Sequence, residues 1–246
     1  MMKEATVVIR CKNDEDVFNC LSSIDEDVEI IVVLNDNPDL KKRLESQGVI
    51  CLISPPGNLS IVSNIGFDAA TTDKVIITDS DTVFGKNCIR QMIIGLETHD
   101  VVRSPLRFKI SQNVLSREIS EARDYVNALP VVYTPGIGVT KRLPSMVKGF
   151  LFDNDIPFAV DANLNFRIQK ESLAVLYLQD VWIEHRAEDV HHDLHAARRI
   201  GRGCRESREN LHKLYPRMTK RKIGKSLKGV KFSHYLTLRT LCKSTT

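Results

Sequence analysis

Two carboxylates one residue apart stand at Asp79-Ser80-Asp81, directly after the apolar run Lys74-Val75-Ile76-Ile77-Thr78. Acids at that spacing, just past a buried strand, can aim at one cation. Magnesium and manganese take oxygen ligands and accept few from protein, which leaves positions for substrate phosphates. A divalent ion there offsets the negative charge that builds on a departing diphosphate. Asp81 reads as the direct ligand. Asp79, deeper at the strand end, reads as a ribose contact or as a ligand acting through water. The triplet is also ordinary turn sequence, and either acid can cap a helix after Gly85. Its weight depends on its surroundings.

Further along, Asp161 opens a short helical stretch to Lys170, and His185 closes an apolar run. Neutral imidazole is a good ligand for manganese-like ions. His191, His192 and His195 follow at spacings that suit a solvated helix face. Arg198, Arg199, Arg202 and Arg205, near Gly201 and Gly203, offer either a phosphate clamp or a plain basic face.

Something must position these groups. Thr6–Ile9, Val28–Leu34, Val49–Ile53 and Lys74–Thr78 are short, apolar and β-branched, as strands buried on both faces are. Helical stretches separate them. Val17, Phe18, Leu21 and Ile24 share one face behind Asp14. Asn37-Pro38 opens a second helix that Gly48 closes. A third runs from about Ser60 to Ala70. Four strand–helix alternations predict a mostly parallel sheet covered by helices. Ligands bind such sheets beyond the carboxyl ends of the strands. Those ends are polar here: Arg10-Cys11-Lys12-Asn13, Asn35-Asp36-Asn37, Ser54 and Asp79-Ser80-Asp81. The second half is less regular. It predicts a strand at Val101-Val102, a helix over 115–129 and a loop with some strand over 131–140. A strand over 174–183 and a helix from about Glu188 to Leu214 follow.

The 246 residues, 42% hydrophobic and 27% charged, can bury a large core. No apolar run is long enough to span a bilayer, and the start, which carries Glu4 and leads straight into a strand-like run, does not read as a signal peptide. Six cysteines without a C-x-x-C pair suit reduced, buried thiols in a cytoplasmic protein. The net charge of +4 conceals an asymmetry: Arg198 to Lys243 holds 15 Lys/Arg against two acids. Such a tail attracts an anionic membrane, a phosphorylated acceptor or nucleic acid, or packs on the acidic body. Its aromatics, Tyr215, Phe232 and Tyr235, are too widely spaced for base stacking, so nucleic acid is not the expected partner.

Four segments in order resemble the family-2 glycosyltransferases of the GT-A fold. They are Val7 to Asp14, Glu29 to Asp36, Asn64-Ile65-Gly66-Phe67-Asp68-Ala69-Ala70 and Lys74 to Asp81. Gly149-Phe150-Leu151-Phe152-Asp153 is similar to the segment before the family's acceptor site. Asp161-Ala162-Asn163-Leu164-Asn165-Phe166-Arg167 is similar to its catalytic-base stretch. The resemblance runs from Thr6 to about Gly203. It implies an α/β GT-A fold over residues 1–214, with a nucleotide-sugar half (1–100), an acceptor half (101–214) and a basic tail (215–246).

The implied reaction is inverting transfer from a nucleotide-diphosphate sugar, expected to be a UDP-sugar, to a hydroxyl of a glycan or lipid-linked saccharide. Asp161 is then the general base, and Asp79, Asp81 and His185 hold Mn²⁺ or Mg²⁺. Ile9, Arg10, Cys11, Lys12, Asn35, Asn64, Asp79, Ser80 and Asp81 contact the donor, and Gly136, Asp153 and Arg167 the acceptor. The chain departs from the family at Leu34 and Asn35, where acids are usual. It departs again at Ser63, where an Arg often precedes Asn64, and at Val160, where Glu is usual. A metal-dependent sugar nucleotidyltransferase is the alternative, disfavoured because Arg10-Cys11-Lys12-Asn13 has no glycine.

Overall fold

The computed structural model describes residues 3–35 and 37–206. The expected start of the basic tail at residue 215, and the end of the last helix near Leu214, lie outside them.

Three apolar strands, β1 (Thr6–Cys11), β2 (Glu29–Leu34) and β3 (Ile50–Ile53), pair in parallel. A fourth, β4 (Lys74–Asp79), pairs in parallel with β1 on its other side. β1 is buried along its whole length, which explains the apolar run over Val7–Ile9. Helices α1 (Val17–Ser22), α2 (Pro38–Glu45) and α3 (Leu59–Ala69) connect the four strands. Asn37 caps α2 by accepting from the Leu40 N–H, with Pro38 in the first turn, and Gly48 follows at a φ of +77°. Asn58 caps α3. Asp14 accepts from the Asp16 N–H (3.1 Å) and sits before the start of α1, which has no side-chain cap.

α3 lies close on the sheet at Gly66. A Cβ there would stand 2.2 Å from Val8 Cγ1 and 3.0 Å from Val33 Cγ2. The glycine of the Asn-x-Gly segment is therefore a packing requirement.

After β4 come β5 (Thr82–Phe84), α4 (Cys88–Gly95), β6 (Val101–Arg103), β7 (Leu106–Phe108) and α5 (Val114–Asn127). They are followed by β8 (Ile137–Thr140), α6 (Leu143–Met146), α7 (Val160–Lys170), β9 (Leu176–Tyr177), β10 (Ile183–His185) and α8 (Val190–Glu206). The main sheet has seven strands in the order β3-β2-β1-β4-β8-β6-β9, and only β8 runs against its neighbours. Apolar clusters fill both of its faces. Three short strands, β5-β10-β7, make a second sheet. The single strand expected over 174–183 is instead two strands in different sheets: β9 extends the main sheet beside β6, and β10 pairs with β5 and β7. Cys11, Cys20, Cys51 and Cys88 are buried and free, as expected of reduced thiols. No helix of the described residues is long and apolar enough to cross a membrane.

Candidate active site

The parallel register sets Arg10 opposite Asp79 and Cys11 opposite Leu34, so the carboxyl ends of β1, β2 and β4 form one rim. Asp79 accepts from Arg10 Nε at 2.7 Å. The Arg10 side chain is almost wholly buried and also reaches Ser63 Oγ (3.4 Å). A small residue at 63 leaves room for it. The pair fixes the Asp79 carboxylate at the strand end.

Asp81 lies past the strand, its side chain only 16% exposed. β5 and β10 bring His185 to it: the antiparallel register sets His185 opposite Thr82. His185 Nε2 stands 3.3 Å from Asp81 Oδ2, and Nδ1 stands 2.9 Å from the Arg186 carbonyl oxygen. Nδ1 donates to that carbonyl, so in the neutral imidazole Nε2 turns a lone pair towards the carboxylate. A proton on Nε2 makes this contact an ion pair, and a divalent cation taking that proton's place would be held by the same two atoms. Burial pushes the Asp81 carboxyl above its usual value of 3.8, against the pull of His185 and Arg186.

More charges close around this pair. Arg186 Nη1 binds Asp14 Oδ2 (2.9 Å) and Asp16 Oδ2 (3.1 Å), and its Nε stands 3.5 Å from Asp81 Oδ2. It ties the entrance of α1 to the end of β10. Glu188, buried, lies 3.8 Å from His185 and 3.6 Å from His192. The Phe108 ring packs on His185 at 4.7 Å between centroids. A cleft of about 130 Å³ opens beside Asp81, lined also by Asp16, Asn19, Lys109 and Glu184. Arg186 and Asp16 were not singled out from sequence, and Asp14 and Glu188 were read only as helix-start residues. They meet across about 170 residues of chain, and no spacing rule reports that.

Among the described residues, no group of three or more His, Cys, Asp or Glu side chains is arranged to hold a metal ion. Asp79 Oδ1 is engaged by Arg10, and of the expected ligands Asp81 and His185 stand 3.3 Å apart. One carboxylate and one imidazole suit a hard divalent ion that keeps most positions for phosphate oxygens and water.

Other residues expected at the site have structural partners. Asn64 donates to the Phe152 carbonyl (2.8 Å) and Asn154 Oδ1 (2.9 Å) and accepts from the Phe152 N–H (3.2 Å). It binds α3 to the 150–154 segment. Arg167 is fully buried. It donates to Asn163 Oδ1 (2.9 Å) and to the carbonyls of Val147 (2.7 Å), Phe150 (2.8 Å) and Leu151. Asp153 Oδ1 accepts from the Asp155 N–H. Gly136 has a φ of +88°, and a Cβ there would meet Ile183 Cδ1 at 3.0 Å. Ile9 is buried in the core, Ser80 is buried, Lys12 is exposed and Asn35 is half-buried.

Asp161 sits in the first turn of α7 and accepts from the Ala162 N–H at 2.8 Å. Asn165, one turn later on the same face, accepts from the Val132 N–H at 3.0 Å. That face looks towards the loop before β8. Val160 is buried in the core, which accounts for an apolar residue before Asp161. Arg103, at the end of β6, lies under the same loop with its guanidinium 5.6 Å from the Tyr133 ring. Burial pushes Arg103 down to about 10, against Tyr133, Tyr177 and Asp161, and its Nε has no partner. His191, His192 and His195 are exposed, as a solvated face would be.

The glycosyl transferase family 2 model matches residues 6–154, more than half of the chain. The chain belongs to glycosyl transferase family 2. That membership favours glycosyl transfer over nucleotidyl transfer. No curated protein matches the chain. Among solved structures it is similar to S. aureus TarS, at 13% identity and a TM-score of 0.56, over 94% of this chain and 46% of TarS. The chain thus spans about half the length of that relative. TarS 1-349 is similar at 14% identity and a TM-score of 0.54, over 99% of this chain and 89% of that one. TarS 1-349 in complex with UDP-GlcNAc matches at 13% and 0.55, with the same coverage. At such identities the likeness speaks for the fold.

Proposed function

We propose that this glycosyltransferase moves a sugar, with inversion, from a UDP-sugar to a hydroxyl of a glycan or lipid-linked saccharide. The observation that carries the reading is the Asp81–His185 pair, 3.3 Å apart on the carboxyl rim of a family-2 sheet. The similar TarS structure with UDP-GlcNAc supports a uridine donor. Asp81 and His185 would hold a divalent ion, Mn²⁺ or Mg²⁺, and the chemistry it would supply is Lewis-acid stabilisation of the leaving diphosphate. Asp79, fixed by Arg10, supports the donor on the same rim, beside Lys12 and Asn35. Asp161 takes the proton of the acceptor hydroxyl. The acceptor oxygen forms a bond to the anomeric carbon as the carbon–oxygen bond to the diphosphate breaks, and the diphosphate leaves with the electron pair.

The test is a thermal-shift panel of nucleotide sugars with and without manganese. A donor at about 100 times its Kd stabilises the fold by about 2.7 kcal/mol. Asp81→Ala should lose the metal-dependent part of that shift. Asp161→Asn should keep the shift and lose transfer. Full transfer by Asp161→Asn removes the base assignment.

A further inference from the structure

Residues 109–113 join β7 to α5, and together with the first turn of α5 they carry three apolar side chains that point into solvent. Ile110 is 68% exposed, Val114 67% and Leu115 58%. No other large hydrophobic residue among those described is as exposed. The backbone beneath them is tied down. The Lys109 N–H donates to the His185 carbonyl (2.8 Å), and the Lys109 carbonyl accepts from Ser120 Oγ (3.1 Å). Asn113 Oδ1 accepts from the N–H groups of Leu115 (3.0 Å) and Ser116 (3.2 Å), capping α5. Three apolar groups held outward on a fixed turn mark a contact surface.

The charge around them selects the partner. From Leu106 to Arg117 the chain has Arg107, Lys109 and Arg117 and no acid, although Glu118 follows and Glu184 stands opposite Arg107 in the small sheet. All three basic residues are exposed. Arg107 stacks on Trp182 (4.2 Å), an indole still 37% exposed. Lys109 and Arg117 flank the three apolar side chains along the chain, a combination that fits the interface of an anionic bilayer.

We propose that Ile110, Val114 and Leu115, with Lys109 and Arg117, dock the protein on an anionic lipid surface. The surface adjoins the candidate catalytic centre. Ile110 is two residues beyond Phe108, which packs on His185, so at most about 7 Å of chain separates them. Lys109 itself lines the cleft beside Asp81. Docking there holds the cleft at the bilayer surface, where a lipid-linked acceptor is presented. This last step rests on the proposed transferase reading; the docking does not.

The test is co-sedimentation of the full chain with vesicles of phosphatidylcholine alone and of phosphatidylcholine mixed with phosphatidylglycerol. The wild type should bind the mixed vesicles, more weakly at high salt. Ile110→Ser/Val114→Ser/Leu115→Ser should partition about tenfold less or worse, since three partly inserted side chains are lost. These positions are exposed, so circular dichroism and the melting midpoint should stay those of the wild type. Lys109→Glu/Arg117→Glu should weaken binding and flatten its salt dependence. The proposal is overturned if the wild type stays in the supernatant. It is overturned equally if the serine variant binds as well as the wild type, which hands the contact to the basic residues after 206. Light scattering that shows a wild-type dimer and a monomeric serine variant assigns the surface to a second copy instead. None of these outcomes depends on turnover, so a failed transferase assay leaves them intact.

Discussion

Removing the Arg167 guanidinium should cost more than any surface change in the molecule. Arg167→Met keeps an apolar side chain of similar reach and deletes the donors. The Val147, Phe150 and Leu151 carbonyls then lose a charged donor each, as does Asn163 Oδ1. A hydrogen bond to a charged group contributes about 1.5–3 kcal/mol, and a buried carbonyl left alone costs about 1–3 kcal/mol. The four are one network, so they do not add in full. A loss of about 4 kcal/mol is expected, including the stacking of the guanidinium on Phe150 at 4.5 Å. For a domain of this size that is a fall of roughly 8–16 °C in the melting midpoint. Differential scanning calorimetry of wild type, Arg167→Met and Arg167→Lys measures it. Lysine can reach one or two of the carbonyls and should fall between the other two proteins. A fall of less than about 2 °C for the methionine variant refutes the cradle and returns Arg167 to the acceptor role implied by its motif.

Three further outcomes follow from other contacts. Gly66→Ala places a Cβ against Val8 and should destabilise by about 2 kcal/mol or more, read by urea denaturation. Asp81 should carry a pH signature in the absence of metal: its folded value is raised above 3.8, so its contribution to stability is full below that value and is lost as the pH rises through the folded value. Asp81→Asn should therefore be at least as stable as wild type at neutral pH and show no such gain below pH 3.8, checked by urea midpoints across the range. Glu29 behaves oppositely. Burial raises it, but hydrogen bonds from Thr6 and Thr71 outweigh that and leave it below 4.5, so Glu29→Gln should lose stability at neutral pH and lose little in acid.

The first 80 residues were legible because their strands are largely buried and two of their three helices carry explicit caps, Asn37 on α2 and Asn58 on α3. β1 and β4 read as apolar runs, and Asn37, Pro38 and Gly48 punctuate α2 as local chemistry requires. Beyond Asp81 the strands shrink to two to four residues, too short to show a period of two, so β9 and β10 looked like one element. At the site, single motif positions carried less information than their neighbours in space. Asp81 and His185 do meet. Asn64 and Arg167 sit in motif-like segments, yet the structure gives both to backbone groups of the 147–154 segment. Arg186 has no motif, and its importance appears only when β10 brings it beside Asp14, Asp16 and Asp81.

The central claim is that Asp81 and His185 form the cation site of a nucleotide-sugar transferase. Titration of Mn²⁺ in the presence of UDP, followed by the loss of the free-ion paramagnetic resonance signal, tests it without any acceptor. Wild type and Asp161→Asn should bind Mn²⁺–UDP alike, while Asp81→Ala and His185→Ala should each lose about tenfold or more in affinity. Unchanged Mn²⁺–UDP binding by Asp81→Ala would contradict the account.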